Sequence, residues 1–155
     1  MRKAKTEEIL CVFPSILTQR KRKSASRNRV RIIYFRLSKV KDMDCLFCKI
    51  IAGDIPSNKV YEDDLVYAFR DIAPEAPVHI LIVPKEHIAS ANEINEGNFQ
   101  VVGHIFKVAS EIAKNEGIAD GGYRIVNNCG EDGGQTVKHL HFHLLGGRSL
   151  QWPPG

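Results

Sequence analysis

The segment His139-Leu140-His141-Phe142-His143 directly follows a glycine-rich turn, Gly130-Glu131-Asp132-Gly133-Gly134-Gln135-Thr136. In a β-strand, successive side chains point to opposite faces, so the three imidazoles would project from one face and the apolar side chains from the other. A strand with one polar and one apolar face belongs in a sheet whose functional face is open and whose back face packs on a core. We therefore expect three histidines to share one surface.

Two strands and a helix are predicted around this turn. The strands run from Tyr123 to Asn128 and from Lys138 to Leu145. Between Asn98 and Glu116, apolar residues recur on one helical face, which predicts an amphipathic helix ending at Gly117. This helix is the longest element expected in the chain.

The sequence before the helix predicts short strands. Lys59 to Glu62 and Leu65 to Arg70 have the pattern of a hairpin, and His79 to Val83, ended by Pro84, has that of a central strand. A short helical turn is expected from Cys48 to Ala52. Short connections and a single long helix favour an α+β fold with an antiparallel sheet over a doubly wound parallel sheet.

Charge divides the 155-residue chain into two parts. Residues 1–42 hold 13 of the 22 Lys and Arg and 3 of the 18 Asp and Glu, a net charge of +10, whereas residues 43–155 carry 9 basic and 15 acidic residues, a net charge of −6. We expect 1–42 to be a flexible extension and 43–155 to be one domain. The extension could be a nucleic-acid or nuclear-import patch, an organellar transit segment or sequence upstream of a true start at Met43; we favour the last.

The expected location of the protein follows from the targeting signals that its sequence lacks, and the expected state of its thiols follows from its cysteines. No apolar run approaches the roughly 18 residues that span a bilayer, and the N-terminus lacks the apolar core of a secretory signal. We expect a soluble cytoplasmic protein that does not bind membranes, with organellar import a lesser alternative. The four cysteines (Cys11, Cys45, Cys48, Cys129) are too few and too unevenly spaced for a disulfide scaffold, so they are expected to be thiols or ligands.

The histidine strand indicates two kinds of chemistry. A neutral imidazole can act as nucleophile, general acid or base, and a glycine turn offers backbone amides to an anion, a combination that suggests phosphorus chemistry. Histidines one residue apart on a strand also bind zinc or iron in hydrolases and oxygenases, with Asp71 or His79 as the further ligand. Spacing alone leaves both open.

The domain resembles the histidine triad family of nucleotide-binding proteins. The resemblance rests on His139 to Leu145 with Gly134-Gln135-Thr136-Val137 before it, and on further motifs along the domain: Phe47-Cys48-Lys49-Ile50-Ile51, Ile55-Pro56, Ala68-Phe69-Arg70-Asp71-Ile72, Pro77-Val78-His79 and Val83-Pro84-Lys85-Glu86-His87. Gly146-Gly147-Arg148 and the terminal Trp152-Pro153-Pro154-Gly155 resemble the Hint branch, the purine nucleoside phosphoramidases.

The resemblance implies a fold and a reaction. The fold is a five-stranded antiparallel sheet with one long helix and a short N-terminal helix, and two subunits form a homodimer with a ten-stranded sheet. By position, His141 is the nucleophile that forms a nucleotidyl-histidine intermediate, while His143 and His79 contact the phosphate or the reacting groups. Covalent catalysis of this kind divides one difficult displacement into two easier ones.

The resemblance also implies the ligand contacts. Asp71 would bind the ribose, Phe69 and Ile72 would line the base pocket, and Trp152 would reach a site in the neighbouring subunit. The phosphate and leaving-group contacts would be Asn128, Gly134, Gln135, Thr136 and Val137. The expected ligands are purine nucleoside monophosphates and their phosphoramidates, not nucleic acids. Hydrolysis or transfer on dinucleoside polyphosphates, and a regulatory role without significant turnover, are the alternatives.

A second set of residues predicts a metal. Cys45-Leu46-Phe47-Cys48 has the spacing of a zinc-binding pair, and zinc needs two further ligands. The resemblance to microbial relatives implies His87 and His139 as those ligands, and thus a structural zinc ion. The alternative is that the thiols are buried apolar groups without a metal. Neither set implies an organic cofactor.

Overall fold

The structure is a computed structural model, and it describes residues 44–154. Within this range lie a five-stranded sheet and two α-helices, joined by loops and a short 3-10 turn at Ala91–Glu93. The helices are α1 (Leu46–Ala52) and α2 (Gln100–Asn115), and the strands are β1 (Lys59–Glu62), β2 (Val66–Arg70), β3 (Val78–Pro84), β4 (Tyr123–Val126) and β5 (Phe142–Gly146). The predicted α+β class is confirmed.

The sheet is antiparallel throughout, with strand order β1-β2-β3-β5-β4. The predicted hairpin and the central position of the third strand are therefore confirmed. In the β3–β5 register, Leu81 lies opposite His143 and Leu145 lies opposite His79. Two histidines of neighbouring strands are thus diagonal neighbours on one face, within reach of each other.

Both faces of the sheet are covered. Helix α2 buries Ile105, Val108 and Ile112 against one face, where alternate sheet residues such as Ile80 and Leu144 are fully buried. Helix α1 covers part of the other face, where Phe47 and Ile50 join a second cluster. The sheet was expected to be backed on one face only; this expectation is wrong, because the apolar side of α1 also needs a surface on which to pack.

The predicted strand from Lys138 to Leu145 is too long at its start. Strand β5 begins at Phe142, because the preceding backbone binds partners outside a strand ladder. The Leu140 amide donates to the Ile88 carbonyl, and the Asn127 side chain donates to the His141 carbonyl. Asn127 directly follows β4, which ends at Val126 rather than at the predicted Asn128.

Asp63 organises the turn between β1 and β2. Its carboxylate accepts hydrogen bonds from the amides of Leu65 and Val66, from the Tyr61 hydroxyl, and from His104 of α2 at 2.6 Å. Burial raises the pKa of this carboxyl, but the hydrogen bonds from Val66, His104, Leu65 and Tyr61 outweigh it and hold the pKa well below its usual range. One side chain therefore links the hairpin to the long helix.

The structure does not test the expectations for the N-terminal extension, for a start at Met43 or for a homodimer. Residues 1–42, Met43 and Cys11 lie outside the described range, and a dimer requires a second chain. Among residues 44–154, neither helix has the length and apolar character needed to cross a bilayer.

Candidate active site

The three histidines of the 139–143 segment share one side of the sheet, as predicted. The ring of Phe47 in α1 makes edge contacts with both His139 and His141, and the rings of His141 and His143 are 5.1 Å apart. Leu140, Phe142 and Leu144 point to the opposite core. The histidine face is not open, however: His139 is 0% and His141 3% exposed, because α1 lies over it.

A backbone carbonyl determines which ring nitrogen of His141 carries the proton. Its Nδ1 lies 2.6 Å from the carbonyl oxygen of His139. A carbonyl can only accept, so Nδ1 carries the proton and donates. The lone pair of the neutral ring is therefore on Nε2, which makes this atom the available nucleophile.

His79 and His143 form a hydrogen-bonded pair beside it. The Nε2 atom of His79 lies 2.8 Å from Nδ1 of His143, and the carboxylate Oδ2 of Asp71 lies 3.5 Å from the same His79 atom. The Glu75 amide donates to Nδ1 of His79, which therefore holds a lone pair. The neutral His79 ring is then protonated on Nε2 and donates to His143.

This pair leaves His143 with an N–H aimed into the site. Because its Nδ1 accepts from His79, the neutral ring carries its proton on Nε2, and this buried atom has no hydrogen-bond partner among the described residues. Burial, followed by the neighbouring His141 and His79, lowers the pKa of His143 to about 4, although the charge of Asp71 opposes the shift. At neutral pH the ring is a hydrogen-bond donor without a charge.

The glycine turn is more occupied than predicted. The amides of Gly134 and Gln135 were expected to be open to an anion, but they donate to the carbonyls of Glu131 and Gly130 and close the turn. The carboxamide of Gln135 accepts from the Gly130 amide and donates to the carbonyls of Ala89 and Val137. Gln135 therefore shapes the turn from within.

The other predicted phosphate contacts surround this turn. Thr136 is exposed and Val137 is half-buried, and within residues 44–154 their amides donate to no protein acceptor. The half-buried Asn128 lies beside Gly134, since a Cβ on that glycine would be 3.9 Å from the side-chain Nδ2 of Asn128. These amides and the carboxamide, which lie between β4 and β5, remain available to an anion.

The residues predicted to bind the nucleoside are dispersed. Asp71 lies beside His79, and its Oδ1 accepts from the Ala73 amide. Phe69 is buried in the cluster with Phe47 and Tyr67, so it lines the site from the core. Ile72 is fully exposed and Trp152 is 82% exposed, so within the described chain neither packs against the histidines.

The predicted metal ligands converge. The ligand atoms of Cys45, Cys48, His87 and His139 lie within 4.8 Å of one another, although the four residues come from three separate segments. Cys45 Sγ and Cys48 Sγ lie 3.4 and 3.6 Å from Nδ1 of His139, and Cys48 Sγ lies 3.4 Å from Nδ1 of His87. A tetrahedral zinc ion with normal bond lengths sets such sulfur–nitrogen edges at about 3.6 Å.

The protonation of His139 also suits a metal. Its Nε2 lies 2.9 Å from the carbonyl oxygen of Pro84 and therefore donates, which leaves the lone pair on Nδ1 facing the thiols. Cys45, Cys48 and Cys129 form no disulfide. The donor set thus fits a zinc ion, whereas Cys129 lies outside it.

Two contributors to this site were not predicted from the sequence. They are the Glu75 amide, which fixes His79, and the side chain of Asn127, which holds the His141 carbonyl. Backbone amides leave no mark in a sequence, and no side chain was predicted to bind the His141 carbonyl, since the neighbouring Asn128 was expected to contact the phosphate instead. The position of Asn127 directly after a strand was the only available signal.

Comparisons with known proteins agree with this geometry. The family model described as HIT domain matches residues 52–150. A purine nucleoside phosphoramidase of Escherichia coli is 51% identical over 107 residues, which are 69% of this chain and 90% of that protein. A 14 kDa zinc-binding protein of Zea mays is 48% identical over 121 residues, 77% of this chain and 94% of that protein. The crystal structure of a HIT family hydrolase from Legionella pneumophila superposes with a TM-score of 0.71 at 50% identity, covering 72% of this chain and all of that chain.

Proposed function

The chain belongs to the HIT domain family, and on this basis we propose that it is a hydrolase of purine nucleoside 5′-phosphoramidates. It would cleave the P–N bond through a nucleotidyl intermediate on His141. The observation that carries the proposal is the pair of opposite tautomers: His141 offers a lone pair on Nε2, and His143 offers an N–H from its own Nε2. A nucleophile and an uncharged donor side by side suit attack on a phosphorus atom and stabilisation of its oxygens.

In the first step, Nε2 of His141 attacks the α-phosphorus and the P–N bond breaks. The departing amine takes a proton, which solvent would supply near the exposed Thr136. The His141 ring carries positive charge while it is phosphorylated, and the His139 carbonyl stabilises that charge at Nδ1. The N–H of His143 donates to a phosphoryl oxygen as negative charge develops there.

In the second step, water attacks the phosphorus and the bond to His141 breaks. The water loses one proton to solvent, the nucleoside monophosphate leaves, and His141 regains its neutral tautomer. The amides of Thr136 and Val137 and the carboxamide of Asn128 would hold the phosphate during both steps. Gly134 and Gln135 would contribute by shaping the turn that carries these groups.

The nucleoside would extend from the histidines toward the loop after β2. Asp71 would accept hydrogen bonds from the ribose hydroxyls, because its Oδ2 faces the histidine pair. The base would lie against Phe69 and the exposed Ile72, whose apolar surface has no cover in the described chain. A purine is favoured over other bases because the Escherichia coli relative, at 51% identity, is a purine nucleoside phosphoramidase.

Zinc would be bound by Cys45, Cys48, His87 and His139 and would have a structural role. When bound, it neutralises the two thiolates and crosslinks the start of α1, the loop after β3 and the segment before β5. The His139 carbonyl, which orients His141, lies on the last of these segments. Metal binding would therefore stabilise the nucleophile's position without contact to substrate.

A homodimer would complete the assembly. Among the described strands, β4 pairs only with β5, so its other edge has unpaired backbone groups. The rings of Phe99 and Phe106 beside and within α2 are about half exposed, an apolar surface that a second copy would cover. The exposed Trp152 would then be free to approach the partner's site. Light scattering on residues 43–155 tests this arrangement.

The activity is tested with a fluorogenic adenosine phosphoramidate. We expect turnover by the wild-type protein and none above background by His141→Ala, while both bind AMP with the same affinity. Activity that survives in His141→Ala would contradict the proposed nucleophile. No activity in either protein, with AMP bound by both, would favour a polyphosphate substrate or a regulatory role.

A further inference from the structure

The loop between β2 and β3 is anchored by the residues that follow β5. The guanidinium Nη2 of Arg148 donates to the Glu75 carbonyl at 2.8 Å. Its neighbour Gly147 has a φ of +85°, and a Cβ there would lie 3.0 Å from Cβ of Pro77. The chain after β5 thus contacts the loop at two successive residues, through one hydrogen bond and one close backbone approach.

The anchored residue, Glu75, is the one whose amide fixes His79. The amide nitrogen lies 3.1 Å from Nδ1 of His79, while the carbonyl of the same residue is held by Arg148. Because an amide N–H can only donate, it selects the His79 tautomer with its proton on Nε2. Four groups then follow in order: guanidinium, Glu75, His79 and His143.

The direction of this chain decides what His143 presents to the substrate. With the proton of His79 on Nε2, His143 accepts at Nδ1 and donates from Nε2. With the opposite His79 tautomer, His143 would have to donate from Nδ1, and its Nε2 would hold a lone pair. That lone pair would face a phosphoryl oxygen and repel it.

We propose that Arg148 is a positioning residue, which sets the His79 tautomer through Glu75 and thereby keeps the His143 Nε2–H directed at the substrate. The expected effect of Arg148 on turnover rests on the proposed function, whereas its expected effect on the His79 tautomer does not. Other groups facing His79 are the Asp71 carboxylate and the ring of His143. Neither of them can donate a hydrogen bond to Nδ1 of His79 in place of the Glu75 amide, because Nε2 is the ring atom that Asp71 and His143 face.

Loss of Arg148 should lower kcat more than it changes KM. Asp71, the proposed ribose ligand, is held without Glu75: its backbone amide donates a hydrogen bond to the His79 carbonyl, and its Oδ1 accepts one from the Ala73 amide. The nucleoside contacts therefore survive when the Glu75 carbonyl is released. We expect kcat to fall on the order of tenfold, because the His143 donor is mispositioned. We expect KM to change by less than about threefold.

The experiment combines kinetics with the direct observation of the ring nitrogens. Proton–nitrogen correlation spectra of ¹⁵N-histidine-labelled protein show which nitrogen of His79 carries the proton. In the wild-type protein we expect it on Nε2. In Arg148→Ala we expect a mixture of both tautomers and the fall in kcat, and in Arg148→Lys, which keeps a donor, we expect partial recovery of both. Circular dichroism establishes that each variant is folded.

Arg124→Ala is the matched control. Arg124 is another arginine that holds backbone carbonyls near the C-terminus, those of Leu150 and Gln151, without contact to Glu75. We expect its His79 spectrum to equal that of the wild type. An unchanged His79 tautomer in folded Arg148→Ala, or the same mixture in Arg124→Ala, would overturn the inference. If Arg148→Ala does not fold, Arg148→Met gives the same readout, because its side chain retains much of the packing and has no hydrogen-bond donor.

The His79 tautomer and the phosphoramidase activity are tested separately. The spectra need no substrate, so a protein without phosphoramidase activity can still show the predicted change at His79. Conversely, an active enzyme whose His79 spectrum ignores Arg148 would refute the positioning role and leave the proposed function intact.

Discussion

The Nδ1 atom of His141 lies 2.6 Å from the carbonyl oxygen of His139, so the proposed nucleophile is oriented by the backbone of a proposed zinc ligand. The side chain of His139 faces the thiols, and its backbone faces the reactive ring. Metal binding and catalysis would thus meet in one residue. Changes at the metal site should therefore reach the active site through the 139–141 backbone.

The cysteine pair gives the first prediction. We expect the purified protein to hold one zinc ion per chain by elemental analysis, and Cys48→Ser to lose it and to lower the free energy of unfolding by about 3 kcal/mol, since ligand binding stabilises the folded state. Cys129→Ser is the control, because its half-buried thiol lies outside the cluster. Full zinc content in Cys48→Ser would contradict the assigned ligands.

The lowered pKa of His143 predicts a pH dependence of stability. The unfolded chain binds a proton at this residue near pH 6.5, whereas the folded protein binds it only near pH 4. The unfolded state therefore holds more protons between these values, and the free energy of unfolding should fall as the pH falls from about 6.5 to about 4.

Urea unfolding at several pH values measures this dependence. His143→Asn should show a shallower fall than the wild type over the same range, because only one of the two proteins has this ionisable group. Since both keep the proposed zinc ligands, loss of metal at low pH affects them equally. Identical slopes would show that His143 titrates normally in the folded protein.

Gly133 is a point at which the glycine turn tolerates no side chain. A Cβ on this residue would overlap the carbonyl oxygen of Cys129. Gly133→Ala should therefore displace the turn and weaken AMP binding on the order of tenfold by calorimetry, about 1.4 kcal/mol. Gly121→Ala has open space around its Cβ and should bind AMP as the wild type does. Equal affinities of the two variants for AMP would show that this turn does not contribute to phosphate binding.

Asp63 should be a main stabilising residue of the hairpin. Asp63→Ala removes the acceptor of four hydrogen bonds, and we expect the free energy of unfolding to fall by about 2 kcal/mol. Asp64→Ala, the exposed neighbour, should change it by less than about 0.5 kcal/mol. Because the pKa of Asp63 is lowered, its contribution is present above pH 4 or so and is lost as the pH falls below that value. A loss for Asp63→Ala no larger than that for Asp64→Ala would refute this role.

The sequence predicted those features that depend on local pattern. The apolar face of α2 and the alternation around His141 are set by periodicity, and both are found in the structure. The start of β5 was missed because it depends on Ile88 and Asn127, which are distant in sequence and act through single hydrogen bonds. The occupation of the Gly134 amide was missed for a different reason: its acceptor is the carbonyl of Glu131 in the same turn, and such backbone hydrogen bonds do not require particular residue types.

The proposed intermediate gives the most direct test of the central claim. Wild-type protein is mixed with an adenosine 5′-phosphoramidate in a single turnover, quenched, digested and examined by mass spectrometry. We predict an adenylyl group on the peptide that contains residues 139–143, with fragmentation assigning it to His141. A group on His143 or His79, or turnover by direct attack of water with no adduct at any time, would contradict the account.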